Sequence, residues 1–266
     1  MNITAHCIVK DEDRWVWFAL QAVLPFVSQV LVFDTGSTDK TAEIIKLINS
    51  PKIVFEKKVL KDKGALSILR QEQLKRTQTT WFLLVDGDEV WPEGELAKLI
   101  AQTDESPSNI KATFNYMRNC IGDIYHYLPN STGQYQIAGQ KGNLNIRLIK
   151  KTPTLKVEGV YPLEFYKDAA GVIQEQPENL LFVDCWYLHT TFLNRSSHQT
   201  LSKTSGSLGK SKYPELGISL SEQELPAVFF EKRPEIVGDP LKRRDQRYVL
   251  AAVILTPIIY LKRLFS

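Results

Sequence analysis

The feature that most constrains this chain is the run Trp81-Phe82-Leu83-Leu84-Val85, followed at once by Asp86-Gly87-Asp88-Glu89. An unbroken apolar run that ends in carboxylates reads as a strand buried on both faces, with its charge confined to its carboxyl end. Such strands belong to parallel sheets covered by helices, and ligands bind outside the carboxyl ends of those sheets. Two carboxylates one residue apart suit a hard divalent cation, Mg²⁺ or Mn²⁺, whose shell phosphate oxygens complete. A solvated turn explains the same residues. A second acidic strand end favours the ligand site: Val30-Leu31-Val32-Phe33 runs directly into Asp34-Thr35-Gly36-Ser37-Thr38-Asp39.

The pattern around these strands alternates strand and helix. Residues 3–9 read as a first strand and 11–24 as a helix, with Trp15, Phe18, Ala19 and Ala22 on one face and Pro25 at its end. A helix is expected from near Thr38, capped by that hydroxyl with Asp39 in its first turn. A short strand at 52–55 precedes a helix over 64–77 that carries Arg70, and Pro92 opens a further helix to about Ala101. The expected fold is a three-layer α/β/α domain with a mostly parallel sheet. Beyond Pro107 the pattern loosens. Strands are expected at 110–116, 143–149 and 180–186, the last leading to His189, around a Gly/Asn/Tyr-rich stretch at 118–142. Tyr116, Tyr125, Tyr127 and Tyr135 fit a sugar-binding wall, and fit packing better.

With 266 residues, 43% of them hydrophobic, the chain supports one large domain plus an appendage. A net charge of +3 argues against a nucleic-acid binder. Cys7, Cys120 and Cys185 are odd in number and far apart, which suits buried thiols in a reducing compartment. The first residues lack the basic and apolar regions of a signal peptide, so the expected location is cytoplasmic. Asn194-Arg195-Ser196 has the form of a glycosylation acceptor, without consequence in that location. Residues 196–211 read as a mobile loop. The apolar stretch 249–261 is too short to span a bilayer. Flanked by Lys242, Arg243, Arg244, Arg247, Lys262 and Arg263, it fits an interfacial element on anionic lipid, at the inner face of the membrane, or a helix docked on the chain's own core.

The segment Asp34-Thr35-Gly36-Ser37-Thr38-Asp39-Lys40-Thr41, with Asp86-Gly87-Asp88-Glu89 downstream, resembles the family 2 glycosyltransferases of the GT-A fold, most closely bacterial lipopolysaccharide-core and envelope enzymes. Ile8-Val9-Lys10-Asp11-Glu12 is similar to that family's first strand and loop, with Asp-Glu where Asn-Glu is usual. The resemblance implies donor binding by Val9, Glu12, Asp34, Asp39, Arg70 and Asp86, with Asp34 on the nucleotide base. It implies that Asp86, Asp88 and His189 hold the divalent cation. A His-Glu pair expected after Gly159 is absent, which leaves Glu164 as general base and Glu158 behind it. The implied reaction is metal-dependent, inverting transfer of a hexose from a nucleotide-diphosphate sugar, by family preference a UDP-sugar, to a glycan or lipid-linked envelope saccharide. The missing pair keeps two alternatives open: a non-catalytic sugar-nucleotide or glycan-binding scaffold, and a sugar-phosphate nucleotidyltransferase. The expected organisation is a glycosyltransferase domain over 1–195, with a nucleotide-binding half 1–106 and an acceptor half 107–195, followed by a helical region at 196–266.

Overall fold

The structure, a computed structural model, describes residues 1–60, 65–160, 163–198 and 213–264. Strands β1 (Ile3–Val9), β2 (Gln29–Asp34), β3 (Ile53–Lys57) and β4 (Trp81–Asp86) form a parallel unit in the order β3-β2-β1-β4. Helices α1 (Val16–Val23), α2 (Thr41–Leu47) and α3 (Leu66–Arg76) connect them. Alternation along β4 shows how both faces are covered. Leu83 and Val85 join the cluster under α1 and α2, while Phe82 and Leu84 join Leu74 of α3 on the other side.

The second half extends the sheet differently. After β5 (Glu89–Val90) and α4 (Glu93–Asp104), the long strand β6 (Ala112–Ile121) is separated from β4 by β10 (Leu144–Lys150), antiparallel to both. Between β6 and β10 lie β7 (Asp123–Tyr127), β8 (Tyr135–Ile137) and β9 (Gln140–Gly142), so the stretch expected to be loose is largely strand. A hairpin of β11 (Lys156–Glu158), β12 (Phe165–Asp168) and β13 (Gly171–Val172) packs by α3. Strand β14 (Leu180–His189) runs parallel to β6, and its last residues pair with β5, setting His189 opposite Glu89. The result is an α/β domain of GT-A type, its parallel unit flanked by helices and followed by a C-terminal helix.

Two boundaries differ from the sequence reading. Helix α1 starts at Val16 rather than Asp11; residues 11–15 form a loop in which Asp11 has φ 54°. Helix α2 starts at Thr41, and Asp39 rather than Thr38 accepts at its head, from the Thr41 amide (2.9 Å) and hydroxyl. Gly64 and most of the expected loop at 196–211 lie outside the described residues. All three cysteines are buried free thiols. Buried His6 stacks on Phe82, and burial pulls its pKa down to about 3, a neutral core residue.

Strand β15 (Ile218–Ser219) adds to β7, and Phe229 packs edge-on against Phe18. The terminal helix α5 (Gln246–Leu264) is continuous through Pro257. It docks through buried Ala252 and through Thr256, whose hydroxyl accepts the Leu216 amide, and exposes Leu250, Ile254 and Leu261 on its outer side. No described helix is long and apolar enough to cross a membrane. Tyr125 is buried beneath the Arg243 guanidinium, whereas Tyr135 is exposed.

Candidate active site

Register places the acidic strand ends side by side. On either side of β1, Val9 pairs with Asp34 of β2 and Ile8 with Asp86 of β4. Asp34 is fully buried. Its Oδ1 accepts the Gly36 and Ser37 amides at 3.2 and 2.8 Å in a turn that uses Gly36 at φ 100°. Its Oδ2 is buried with no hydrogen-bond partner among the described residues, an acceptor left for something else to fill.

Gly87, between the two aspartates, has no room for a side chain. A Cβ there would lie 2.9 Å from Val9 Cγ1 and 3.0 Å from Glu12 Cγ. Val9 thus sits under the motif, and its carbonyl accepts the Thr35 amide and hydroxyl.

The two aspartates meet different neighbours. Asp86 lies between two guanidiniums, with Arg70 Nη2 3.4 Å from Oδ1 and Arg147 Nη2 3.4 Å from Oδ2. Burial opposes its charge, but Arg147 and then Arg70 outweigh that and hold its carboxyl below the usual range. Arg147, on β10, also contacts the fully buried Glu89 and donates through Nε to the Tyr187 hydroxyl at 3.1 Å. Burial, with Asp86 and Asp88 nearby, pushes Glu89 up to about 7 against the pull of Arg147.

Asp88 faces an imidazole and a third guanidinium. His189 Nε2 is 3.5 Å from its Oδ2, and Arg195 Nε is 3.3 Å from the same oxygen. The Asp88 carbonyl accepts the Thr190 amide and hydroxyl, which fixes the end of β14 against the turn. Burial works to lower the His189 pKa, but Asp88 overcomes it and raises it. The other ring nitrogen of His189 is 3.1 Å from Asn119 Oδ1. Arg195 also pairs with Glu12, whose second oxygen is buried and unpartnered.

Glu164 joins the Asp86 side through Arg70, with Nε 3.6 Å from its Oε1, and its Oε2 is buried without a partner among the described residues. Arg70 Nη1 is in the same position. Glu158 instead is held by Lys156 at 2.7 Å and Lys167 at 3.6 Å. Both oxygens of Asp39 are occupied: one by Thr41, the other by the Asp13 amide (3.2 Å) and the Ser196 hydroxyl (2.6 Å). Asp39 therefore ties the loop before α1 to the segment after β14.

The structure thus gathers Asp34, Asp86, Asp88, His189, Arg70, Glu12 and Glu164 along one sheet edge, and adds Arg147 and Arg195, which the sequence reading passed over. A charge between Ile146 and Leu148 in an apolar strand was the signal for Arg147, since a buried cation requires acids. Arg195 was seen only as the middle of a glycosylation pattern. In this cluster Asp86, Asp88, Glu89, Glu12 and Glu164 face Arg70, Arg147 and Arg195 together with His189. With Glu89 pushed up to about 7 and the His189 pKa raised, acids and bases in the cluster come close to balance near neutral pH. The 3.5 Å between Asp88 Oδ2 and His189 Nε2 fits two ligands of one ion, each at roughly 2.0–2.2 Å. No group of three or more His, Cys, Asp or Glu side chains converges as a metal cage among the described residues.

A parallel α/β unit with acids at its carboxyl edge, continued by an antiparallel insertion that returns a histidine to that edge, defines a GT-A domain. The family model for glycosyl transferase family 2 matches residues 11–155, and the chain belongs to that family. Among solved structures it is similar to Staphylococcus aureus TarS 1-349 in complex with UDP-GlcNAc, at 15% identity and a TM-score of 0.50, over 81% of this chain and 63% of that one. The structure of TarS 1-349 without that ligand matches at 15% identity and a TM-score of 0.49, over 72% of this chain and 61% of that one. This chain thus spans about six tenths of TarS 1-349. Glucosyl-3-phosphoglycerate synthase from Mycobacterium tuberculosis, in complex with Mn²⁺ and UDP-glucose, matches at 20% identity and a TM-score of 0.35, over 44% of each chain. No curated protein matches.

Proposed function

We propose that this chain is a metal-dependent, inverting hexosyltransferase that takes a nucleotide-diphosphate sugar, by preference a UDP-sugar, and acts on a glycan or lipid-linked envelope saccharide. The observation that carries the reading is the row of buried unpartnered polar atoms along one edge: Asp34 Oδ2, Glu12 Oε2, Arg70 Nη1 and Glu164 Oε2. Leaving such atoms without partners is costly, and a ligand rich in hydroxyls, amides and phosphates satisfies both the donors and the acceptors.

In this reading Asp34 Oδ2 accepts an N–H of the base, beside Val9 and the loop that Asp39 braces. Asp86, Asp88 and His189 would hold Mn²⁺ or Mg²⁺. When bound, the ion offsets the charge that builds on the departing diphosphate. Arg70 turns its free Nη1 toward donor oxygens. Glu164 takes the proton of the acceptor hydroxyl as that oxygen attacks the anomeric carbon and the diphosphate leaves from the opposite face. Glu158, held by two lysines, is the weaker candidate. Catalysis is assigned to residues 1–195. Residues 196–266 include α5, whose apolar stripe would rest on anionic lipid at the inner face of the cytoplasmic membrane. Lys262 would supply charge at the far end of the helix, since Arg263 is spent on a two-pronged pair with Glu215.

The decisive experiment is a panel of sugar nucleotides titrated with Mn²⁺ or with chelator. UDP-sugars are expected to bind more tightly with metal. Equal affinity in both conditions for every donor would overturn the metal-dependent reading. Flotation with phosphatidylglycerol vesicles tests the membrane assignment, which requires binding that α5 truncation removes.

A further inference from the structure

A cavity lies beyond the wall of the donor edge. It encloses about 720 Å³ between the β6–β7 turn, the segment after β14 and the start of α5. Its wall is shared: residues 191–194 line the cavity, while the next residue, Arg195, reaches back to Glu12 and Asp88. Trp15 locks the wall by donating its indole N–H to the Asn194 carbonyl at 2.8 Å.

The lining combines cations with rings. Arg14, Lys242 and Arg247 contribute side chains that have no hydrogen-bond or ion-pair partner among the described residues. Five cations in the lining, Arg14, Lys242, Arg243, Arg244 and Arg247, outnumber its three acids, which hold contacts of their own. Asp123 binds His126 and the Arg244 amide, Asp239 pairs with Arg233, and Asp245 caps α5 by accepting the Tyr248 amide. Trp15, Phe192 and Tyr248 give the cavity aromatic surface.

An excess of cations around a concave site attracts an anion, and guanidinium forks match phosphate oxygens. Aromatic faces suit the C–H surfaces of sugar rings. We propose that this cavity receives a phosphate ester on the acceptor saccharide, so that the acceptor is a phosphorylated glycan. The inference rests on the glycosyltransfer reading, because the shared wall is what would join the two sites. It gives Lys242 and Arg247 a task distinct from holding lipid.

The test titrates trehalose 6-phosphate, and trehalose as control, into the full-length protein with and without UDP. Trehalose 6-phosphate is expected to bind at least tenfold more tightly than trehalose in both conditions. A Lys242→Glu/Arg247→Glu variant, altered at exposed positions, should lose that preference while keeping its UDP affinity. Arg14→Gln, on a different segment, should weaken the same binding, and Asp88→Asn should leave it intact. Equal affinity for the two sugars overturns the proposal. So does a loss that follows Asp88→Asn, which would place the phosphate at the donor edge. A charge-reversed protein that keeps trehalose 6-phosphate but releases phosphatidylglycerol vesicles would assign the cations to lipid instead, and also overturns it. Failure of UDP to bind would count against the donor reading alone, because the sugar titration without UDP is still read.

Discussion

Asp86 and Asp88 are separated by one glycine, yet they occupy different kinds of site. Asp86 is clamped by Arg70 and Arg147, and through Arg147 it belongs to a buried network with Glu89 and Tyr187. Asp88 touches His189 and Arg195, two side chains brought by the end of β14 and the segment after it. The first carboxylate is held by partners from sheet and helix. The second faces groups that can exchange one partner for another. On the proposed reading the motif divides its labour, Asp86 fixing the edge and Asp88 meeting the guest, although the Asp86 side chain is the more exposed of the two.

The Asp86 side also carries the candidate base, so the largest effect is expected there. Glu164→Gln is nearly isosteric and should bind donor and metal normally while transfer falls about 10²–10⁴-fold. Rates from a donor-saturated assay check it, and near-normal turnover would pass the role to Glu158→Gln for assay. Next is the clamp itself. Arg147→Met leaves Glu89 and Asp86 without their shared cation and should cost about 3–5 kcal/mol, measured by urea unfolding. Adding Glu89→Gln should recover part of that loss, because the pair is coupled. A single variant as stable as the parent would mean that the network holds nothing together.

The comparison is sharpest between the aspartates. Asp86→Asn should lower stability by about 1–3 kcal/mol, since it leaves the buried Arg147 and the partly buried Arg70 guanidiniums short of a charged acceptor. Asp88→Asn should change stability less and reduce metal-dependent donor affinity at least about tenfold, the loss expected when an anionic ligand becomes neutral. Paired unfolding and binding measurements decide. If both variants lose affinity and stability in the same proportion, the division of labour is wrong.

How much of this could be read in the sequence follows from distance along the chain. The strands of the parallel unit, and the acids at their ends, are local patterns: an apolar run, then Asp34 or Asp86. Their alignment follows from the parallel register. Arg147 and Arg195 are different. Each acts on residues far away in the chain, and nothing beside Arg195 marks it as an active-site residue. The early start assigned to α1 has a related cause. Asp11, Glu12 and Asp13 look like a helical first turn, but their carboxylates are drawn to Thr38, Arg195 and Ser197, and the loop follows those partners. Residues 118–142 looked loose because β8 and β9 are short and lack an apolar run.

The smallest expected effect tests whether the Asp86 side is as charged as its contacts suggest. Glu89 is enclosed by Arg147, with Asp86, Asp88 and His189 as its other charged neighbours. Burial raises its folded pKa from 4.5 to about 7. A carboxyl raised in the folded state binds its proton more tightly there than in the unfolded chain. Between those two values the folded protein holds more protons, so this group makes stability fall as pH rises through the window. His189, also raised, acts in the same direction above its ordinary value of 6.5. Asp86, lowered, acts oppositely, but only in the acid range below 3.8. Buried His6, lowered to about 3, makes stability rise with pH up to 6.5 in parent and variant alike, so the Glu89 contribution is read as a difference: urea midpoints from pH 5 to 7 should climb less, or fall more, in the parent than in Glu89→Gln. Equal slopes would mean that Glu89 is ionised throughout, which would make the clamp a full ion pair and remove the electrostatic difference between the two aspartates' surroundings.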